Sequence, residues 1–472
     1  MSASRVSTAR PTRSYGSGAR ILSIGIASTG LLTFAYFSIA SHVLGADPAK
    51  RIDLLWSVMF VIISVIYRPI EQLLSRTIAE SRARGASPRT LRVPMLIQAG
   101  FALAFLVVAL ALRHEVVHHV FEGDSALYDV LVIGTMAYAA SYFARGWLAG
   151  HQRFGLFGGL VLMESTSRIC FALAVAVGIA SGPTAVALGI AAAPLVSLVV
   201  VPLAFLSTRR AEGTGAGAPG GGGEGLAEAP ITVDEAEAAL AGPGTEGVQE
   251  SAAHGELSLR RGGGFAVWVS SIMLSEQTLL NAAVLTVDAT SSNRALAGIV
   301  FNVLLIARAP LQLFQAIQTS LLPHLTGLEA TAGHEAFARA IRITILAITA
   351  FAGAVALGLL IVGPFVLRHV LFGQSYPYGR VGLALIGVGM GLHLTSGALN
   401  QAALARDRAR AAAGCWGLAA VVFLAWMLIP AVSNELLRAE IGYALATGLL
   451  AAALGALYRR GSPATAGPVA LR

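Results

Sequence analysis

The sequence predicts an all-α polytopic membrane protein of about twelve transmembrane helices in two six-helix lobes, with both termini cytoplasmic. Three observations predict it. Of 472 residues, 56% are hydrophobic and 12% charged, and the mean hydropathy is +0.71; a soluble chain carries about 25% charged residues. The apolar residues gather into runs of roughly 20, the length that crosses hydrocarbon at 1.5 Å per residue. Arginine is dense in alternate interhelical segments and sparse in those between them, as expected when basic short loops stay in the cytoplasm.

In chain order, residues 1–20 hold Arg5, Arg10, Arg13 and Arg20 among Ser, Thr and Gly and read as a disordered cytoplasmic arm. The run that follows is longer than a signal-peptide core. Apolar spans fall near 21–43, 54–76, 92–112, 127–149, 154–180 and 184–207 in an N-lobe (21–207), then near 265–287, 295–322, 342–366, 381–405, 409–431 and 438–458 in a C-lobe (264–460). A cytoplasmic tail, 461–472, closes the chain. With this threading 23 of the 33 Lys and Arg residues lie inside and seven outside, while Arg68, Arg168 and Arg308 fall within spans.

Residues 208–263 join the lobes. From Ala211 to Leu259 this linker has nine acidic residues and no Lys or Arg, a composition too polar and charged to build a core. The basic residues are 32 Arg and one Lys, Lys50, so no Walker-type phosphate loop with its G-K-[ST] ending is present. Cys170 and Cys415 both lie in spans and imply no disulfide framework.

The halves read as repeats. Span two carries Tyr67-Arg68-Pro69-Ile70-Glu71 and span eight carries Arg308-Ala-Pro310-Leu-Gln312. Span four ends Trp147-Leu-Ala-Gly-His-Gln-Arg153 and span ten ends Ala402-Ala-Leu-Ala-Arg-Asp-Arg408. Duplicated bundles are a plan that transporters use. Ionisable groups inside a bilayer are costly and face a bundle interior or wet cavity, so Arg68, Arg168 and Arg308 are the candidate cavity cations. Each has a competing reading. Arg168 has Glu164 one turn earlier and an internal i,i+4 ion pair would satisfy it. Arg68 has Glu71 at i+3 and a route to snorkel toward the cytoplasm. Arg308 has no acid within a turn; Gln312 and Gln315 neighbour it, which makes it the leading candidate. Arg145, at the inner end of span four, reads as an ordinary positive-inside anchor.

Glu276, with Gln277 and Asn281 nearby, is either a coupling site for H+ or Na+ or a counter-ion for one of the arginines. His393 and Asn400 in span ten read as interhelical hydrogen-bonders. The pattern His114-Glu115-Val-Val-His118 matches a zinc-protease motif but falls in a short outer segment with no third ligand beyond His119, so no metal and no cofactor are expected. Neither a Ser/His/Asp set nor a catalytic outer carboxylate stands out, and no enzyme activity is expected.

Five stretches resemble the O-antigen (Wzx-like) polysaccharide flippases, in the superfamily shared with the MATE multidrug exporters and the lipid II flippases (the MOP superfamily). They are Ile39-Ala-Ser-His-Val-Leu-Gly45, Glu71-Gln-Leu-Leu-Ser-Arg76, Arg145-Gly-Trp-Leu-Ala-Gly-His-Gln-Arg-Phe-Gly155, Ser320-Leu-Leu-Pro-His-Leu325 and Leu371-Phe-Gly373. The segment Ala46-Asp-Pro-Ala-Lys-Arg51 and the acidic linker depart from that family's pattern. The resemblance implies a bacterial cytoplasmic-membrane protein that moves a polyprenyl-diphosphate-linked glycan to the outer leaflet by alternating access. It implies membrane lipids as surroundings, a glycan polymerase or glycosyltransferase as associated partners, and no nucleic acid. The alternatives are a multidrug or lipid exporter on the same fold, a membrane glycan polymerase or glycosyltransferase, and a non-transporting scaffold.

Overall fold

The computed structural model describes residues 28–199 apart from 34, 41, 45 and 85–90, then 258–290, 320–330, 333–367 and 378–460, with a few positions between 299 and 314. These residues are helical, with no strand among them. The N-terminal half holds α1 (Ser28–Leu44), α2 (Ala46–Ile66), α3 (Arg68–Ala83), α4 (Arg92–Ala111), α5 (Arg113–His119), α6 (Ser125–Gly150), α7 (Phe154–Ala176) and α8 (Pro183–Ser197). The C-terminal half holds α9 (Leu259–Thr290), α10 (320–330), α11 (Gly333–Val366), α12 (Arg380–Ala405), α13 (Ala409–Leu428) and α14 (Glu435–Arg460).

Local chemistry sets the breaks. Pro69 has no N–H to give the Val65 carbonyl, so the second span divides at Tyr67 into α2 and α3. The Asp124 carboxylate caps α6, accepting from the Ala126 and Leu127 amides at 3.1 and 3.2 Å. Gly182, at φ +84°, turns the chain into Pro183 at the start of α8. Pro430 forces Ile429 into extended backbone and ends α13.

Two boundaries differ from the sequence reading. Ala46–Arg51, which falls between the first two spans of the sequence reading, is the first turn and a half of α2. Helix α9 begins at Leu259, inside the stretch assigned to the linker; polar composition hid a helix start that tertiary contacts supply. Residues 208–257 of that linker lie outside the described residues, as do the N-terminal arm and the tail.

Among the described residues, eight helical segments are long and apolar enough to cross a membrane, with α2 and α3 counted together as one. Their outer faces carry the apolar side chains that a soluble fold would hide: Leu103, Val107, Leu346 and Ile361 are all more than half exposed. The interior of the described residues divides into two large apolar cores and a small third one around Leu148, Phe154 and Phe157. Of the large cores, one is built wholly from residues between Tyr36 and Ala191. The other runs from Phe265 to Leu454 and takes in Ile70, Leu73 and Ile97 from the N-terminal half. In the first half α6 packs on α3 and α8, and α7 on α8; in the second, α12 packs on α11 and α14, and α9 on α13. The halves meet where α9 lies against α2, α3 and α4.

The repeat is visible in the backbone. Helices α6 and α12 are both 26 residues long. Each ends in a turn whose second residue, Gln152 or Asp407, adopts positive φ (57° and 59°). In both turns the amide of the residue after it bonds back five positions, Arg153 to the Leu148 carbonyl at 2.8 Å and Arg408 to the Ala403 carbonyl at 2.9 Å. The second helix of each pair then starts one residue further on, at Phe154 and Ala409.

Candidate functional site: buried polar clusters in each half

In the N-terminal half the polar residues collect where α3, α6, α7 and α8 touch. Glu164 on α7 is 2% exposed. Its carboxylate accepts from the Arg145 guanidinium and the Ser141 hydroxyl of α6, with the Ser197 hydroxyl of α8 at 3.5 Å. One carboxylate thus ties three helices. The Arg145 guanidinium also lies over the Tyr142 ring, 4.5 Å from its centroid. Glu71 on α3, 7% exposed, faces the charges of Arg145 and Arg68. The close approach of α3 to α6 depends on Gly146, where an added Cβ would come within 2.9 Å of the Glu71 carbonyl oxygen.

Two sequence readings are corrected here. Glu164 pairs with Arg145, not with Arg168. Arg145 is no surface anchor, since its side chain is only 12% exposed. Helix spacing favoured the neighbour one turn away, but α6 and α7 form an antiparallel hairpin that places Arg145 closer. Arg168, 4% exposed, instead donates to Ser165 Oγ at 2.9 Å and stacks on the Trp56 ring of α2 at 4.4 Å. It has no carboxylate partner among the described residues. Arg68 likewise makes no ion pair there; it stands at the seam between the halves, where its charge bears on Glu71 from its own half and on Glu276 from the other.

In the C-terminal half a second polar chain crosses four helices. Glu276 on α9 lies 3.8 Å from His393 Nε2 on α12, an ion-pairing distance beyond that of a hydrogen bond. His393 Nδ1 is 3.1 Å from the Tyr443 hydroxyl on α14. The imidazole meets the Trp416 ring of α13 edge-on at 5.5 Å, and the Trp416 indole N–H donates to Asn400 Oδ1 at 3.2 Å. His393 and Asn400 are interhelical bonders as the sequence led us to expect. Asn281 Nδ2 donates to the Gln277 carbonyl at 2.8 Å on the same helix. Arg308, Gln312 and Gln315 lie outside the described residues.

Other groups were not legible from the sequence. Asp407 receives Arg76 of α3 at 2.9 Å and Arg261 of α9 at 2.7 Å, an ion bridge between the halves. Burial pushes its carboxyl up, but the hydrogen bonds and charges of Arg76 and Arg261 outweigh this and hold it below the usual carboxylate range. Glu440 on α14 is 3% exposed, packed over Gly382 of α12, and its Oε1 has no hydrogen-bond partner among the described residues. The facing glycine was the one signal for it. On α5, Glu115 pairs with His119 at 3.2 Å on an exposed surface, and no group of three potential metal ligands gathers among the described residues.

No protein-family model and no curated relative matches the chain. Solved structures do. A mutant of the MATE transporter of Vibrio cholerae aligns at TM-score 0.70 and 13% identity, covering 95% of this chain and 97% of that one. A MOP-superfamily transporter from Pyrococcus furiosus, described as having a binding pocket of reversed polarity that suggests a different function, aligns at TM-score 0.70 and 12% identity over 95% of both chains. An outward-facing multidrug-resistance MATE transporter aligns at TM-score 0.66 and 13% identity, again over 95% of both. Such low identity speaks to architecture alone. The chain has the membrane fold of the MATE transporters of the MOP superfamily.

Proposed function

We propose that this protein is an alternating-access flippase that carries a polyprenyl-diphosphate-linked glycan across the cytoplasmic membrane. The observation that carries the reading is the charge left over in the N-terminal half. Arg145 satisfies Glu164, yet the buried Arg168 and the half-buried Arg68 have no salt-bridged carboxylate among the described residues. An intramembrane cation is costly unless something compensates it, and Arg does not shed its proton to escape that cost. A diphosphate head group supplies the missing charge and the geometry that a guanidinium fork binds best. Arg308, from the equivalent position of the other half, would complete the cationic wall, with Gln312 and Gln315 beside it. The polyprenyl tail would stay in lipid while the head group crosses between the halves. In the other half, Glu276, His393 and Tyr443 form a carboxylate–imidazole–phenol chain suited to taking up H+ or Na+ and so to coupling transport to an ion gradient.

A second reading rests on that same Glu276. A buried carboxylate in a helix facing the other half suits an organic cation, which would make the protein a multidrug exporter.

The test is flipping of a fluorescent polyprenyl-diphosphate sugar in proteoliposomes by the wild type, Arg68→Ala, Arg168→Ala and Arg308→Ala. Each Arg variant is expected to lose about tenfold or more, the value of one charge-assisted hydrogen bond. Wild-type flipping unaffected by all three substitutions would remove the arginines from the site.

A further inference from the structure

A cavity of about 380 Å³ opens beside the start of α9, lined among others by Ser258, Arg260, Arg261, Trp268, Asp407 and Arg410. It lies at the end of the molecule where Arg76 meets Asp407 and where Arg408 donates to the Leu457 carbonyl near the end of α14. The arginine distribution assigns that end to the cytoplasm. Its cations stand in an unusual place. Arg260 and Arg261 occupy the first turn of α9, and Arg410 the first turn of α13. Helix N-termini already carry positive partial charge and favour anions, so three arginines there are mutually unfavourable with both dipoles. Asp407 offsets only part of this, because it is shared between Arg261 and Arg76. Arg260 and Arg410 meet no carboxylate among the described residues.

The cavity also continues onto the lipid-facing surface. The Arg410 guanidinium lies over the Trp268 ring at 5.7 Å. Trp268 is part-exposed, and Val267 and Leu274 beside it on α9 are about half exposed. Along the helix axis Arg260 lies roughly 12 Å beyond Trp268 toward the cytoplasm. That order, an aromatic toward the lipid and a basic group beyond it on the cytoplasmic side, is the interfacial pattern of membrane helices. Gly264, which lines the cavity, has open space where a side chain would be.

We propose that this cavity binds the phosphate head group of an anionic phospholipid of the cytoplasmic leaflet. The phosphate sits between Arg260, Arg410 and the two helix N-termini, and the acyl chains lie along Val267, Trp268 and Leu274. This site is separate from the arginines of the transport reading and does not depend on it.

The test is native mass spectrometry of the full-length, delipidated protein titrated with phosphatidylglycerol, phosphatidylethanolamine or inorganic phosphate. Arg260→Gln combined with Arg410→Gln is compared with the wild type, leaving Arg261 in its bridge to Asp407. The wild type is expected to retain phosphatidylglycerol in preference to phosphatidylethanolamine, and the double variant to bind it about tenfold more weakly. A second measurement needs no variant: hydrogen exchange of the wild type in nanodiscs, expected to slow at residues 258–264 and 408–411 when phosphatidylglycerol replaces phosphatidylcholine. Equal phosphatidylglycerol binding by the double variant, unchanged exchange at both segments, or displacement of the lipid by inorganic phosphate at the same concentration would each overturn the proposal.

Discussion

Removing either side of the Arg145–Glu164 pair should destabilise the protein strongly, and removing both should cost much less than the sum. Glu164 is 2% exposed and Arg145 12% by side chain, so water cannot replace a lost partner. Glu164→Ala leaves Arg145 with the Tyr142 ring and the field of Glu71, an uncompensated buried cation worth about 3–5 kcal/mol. Arg145→Ala leaves Glu164 with the hydroxyls of Ser141 and Ser197, which soften the loss toward the lower end of that range. With both changed, no stranded charge remains, and a coupling of about 2–3 kcal/mol should appear in the cycle. Equilibrium unfolding in mixed detergent micelles, followed by tryptophan fluorescence, measures all four proteins. Additive costs, or single costs below about 1 kcal/mol as for an exposed pair, would refute the assignment of Glu164 as the residue that pins α6, α7 and α8.

Four further outcomes follow from the same geometry. Gly146→Val should separate α3 from α6 and cost about 1–3 kcal/mol of stability, because its side chain would press on the Glu71 backbone; Gly455→Val on α14, where a Cβ meets open space, is the matched control. Asp407→Asn should widen the distance between spin labels at the cytoplasmic ends of α3 and α9, since the amide loses its charge against Arg76 and Arg261. The Asp407 carboxyl is held below its usual value, so the bridge is intact above about pH 4 and is lost as pH falls through the lowered value; the same labels should separate in the wild type only at more acid pH. His393→Phe keeps the ring against Trp416 but removes both nitrogens, and should abolish ion-gradient dependence of transport while leaving residual downhill flipping. Gradient-driven uptake equal to wild type would remove His393 and Glu276 from coupling.

The membrane class and the turn shared by the two halves were legible because each leaves a trace along the chain. Apolar runs mark spans, and the shared turn at 147–153 and 402–408 reflects a local backbone geometry that short sequences specify. The partners of buried charges leave no such trace. Glu164 has Arg168 one turn away on its own helix, and helix spacing prefers that pair until the α6–α7 hairpin is built. The short connection at 151–153 was the available signal, since it makes α6 and α7 antiparallel neighbours. Asp407 looked like a loop residue; its bridge to Arg76 spans 331 positions and exists only once the two halves are docked. The start of α9 at Leu259 was missed because Arg260, Arg261 and three glycines read as linker, whereas the Arg261–Asp407 bridge ties that turn to the end of α12.

The most direct test of the central claim sets two cargoes against each other in the same proteoliposomes. Wild-type protein is reconstituted once, and flipping of a fluorescent polyprenyl-diphosphate oligosaccharide is measured beside efflux of an amphipathic organic cation. The account predicts protein-dependent flipping of the diphosphate lipid, lost in Arg168→Ala, with no efflux of the cation. Efflux of the cation without flipping of any diphosphate-linked glycan in a panel would contradict it and make the protein an exporter.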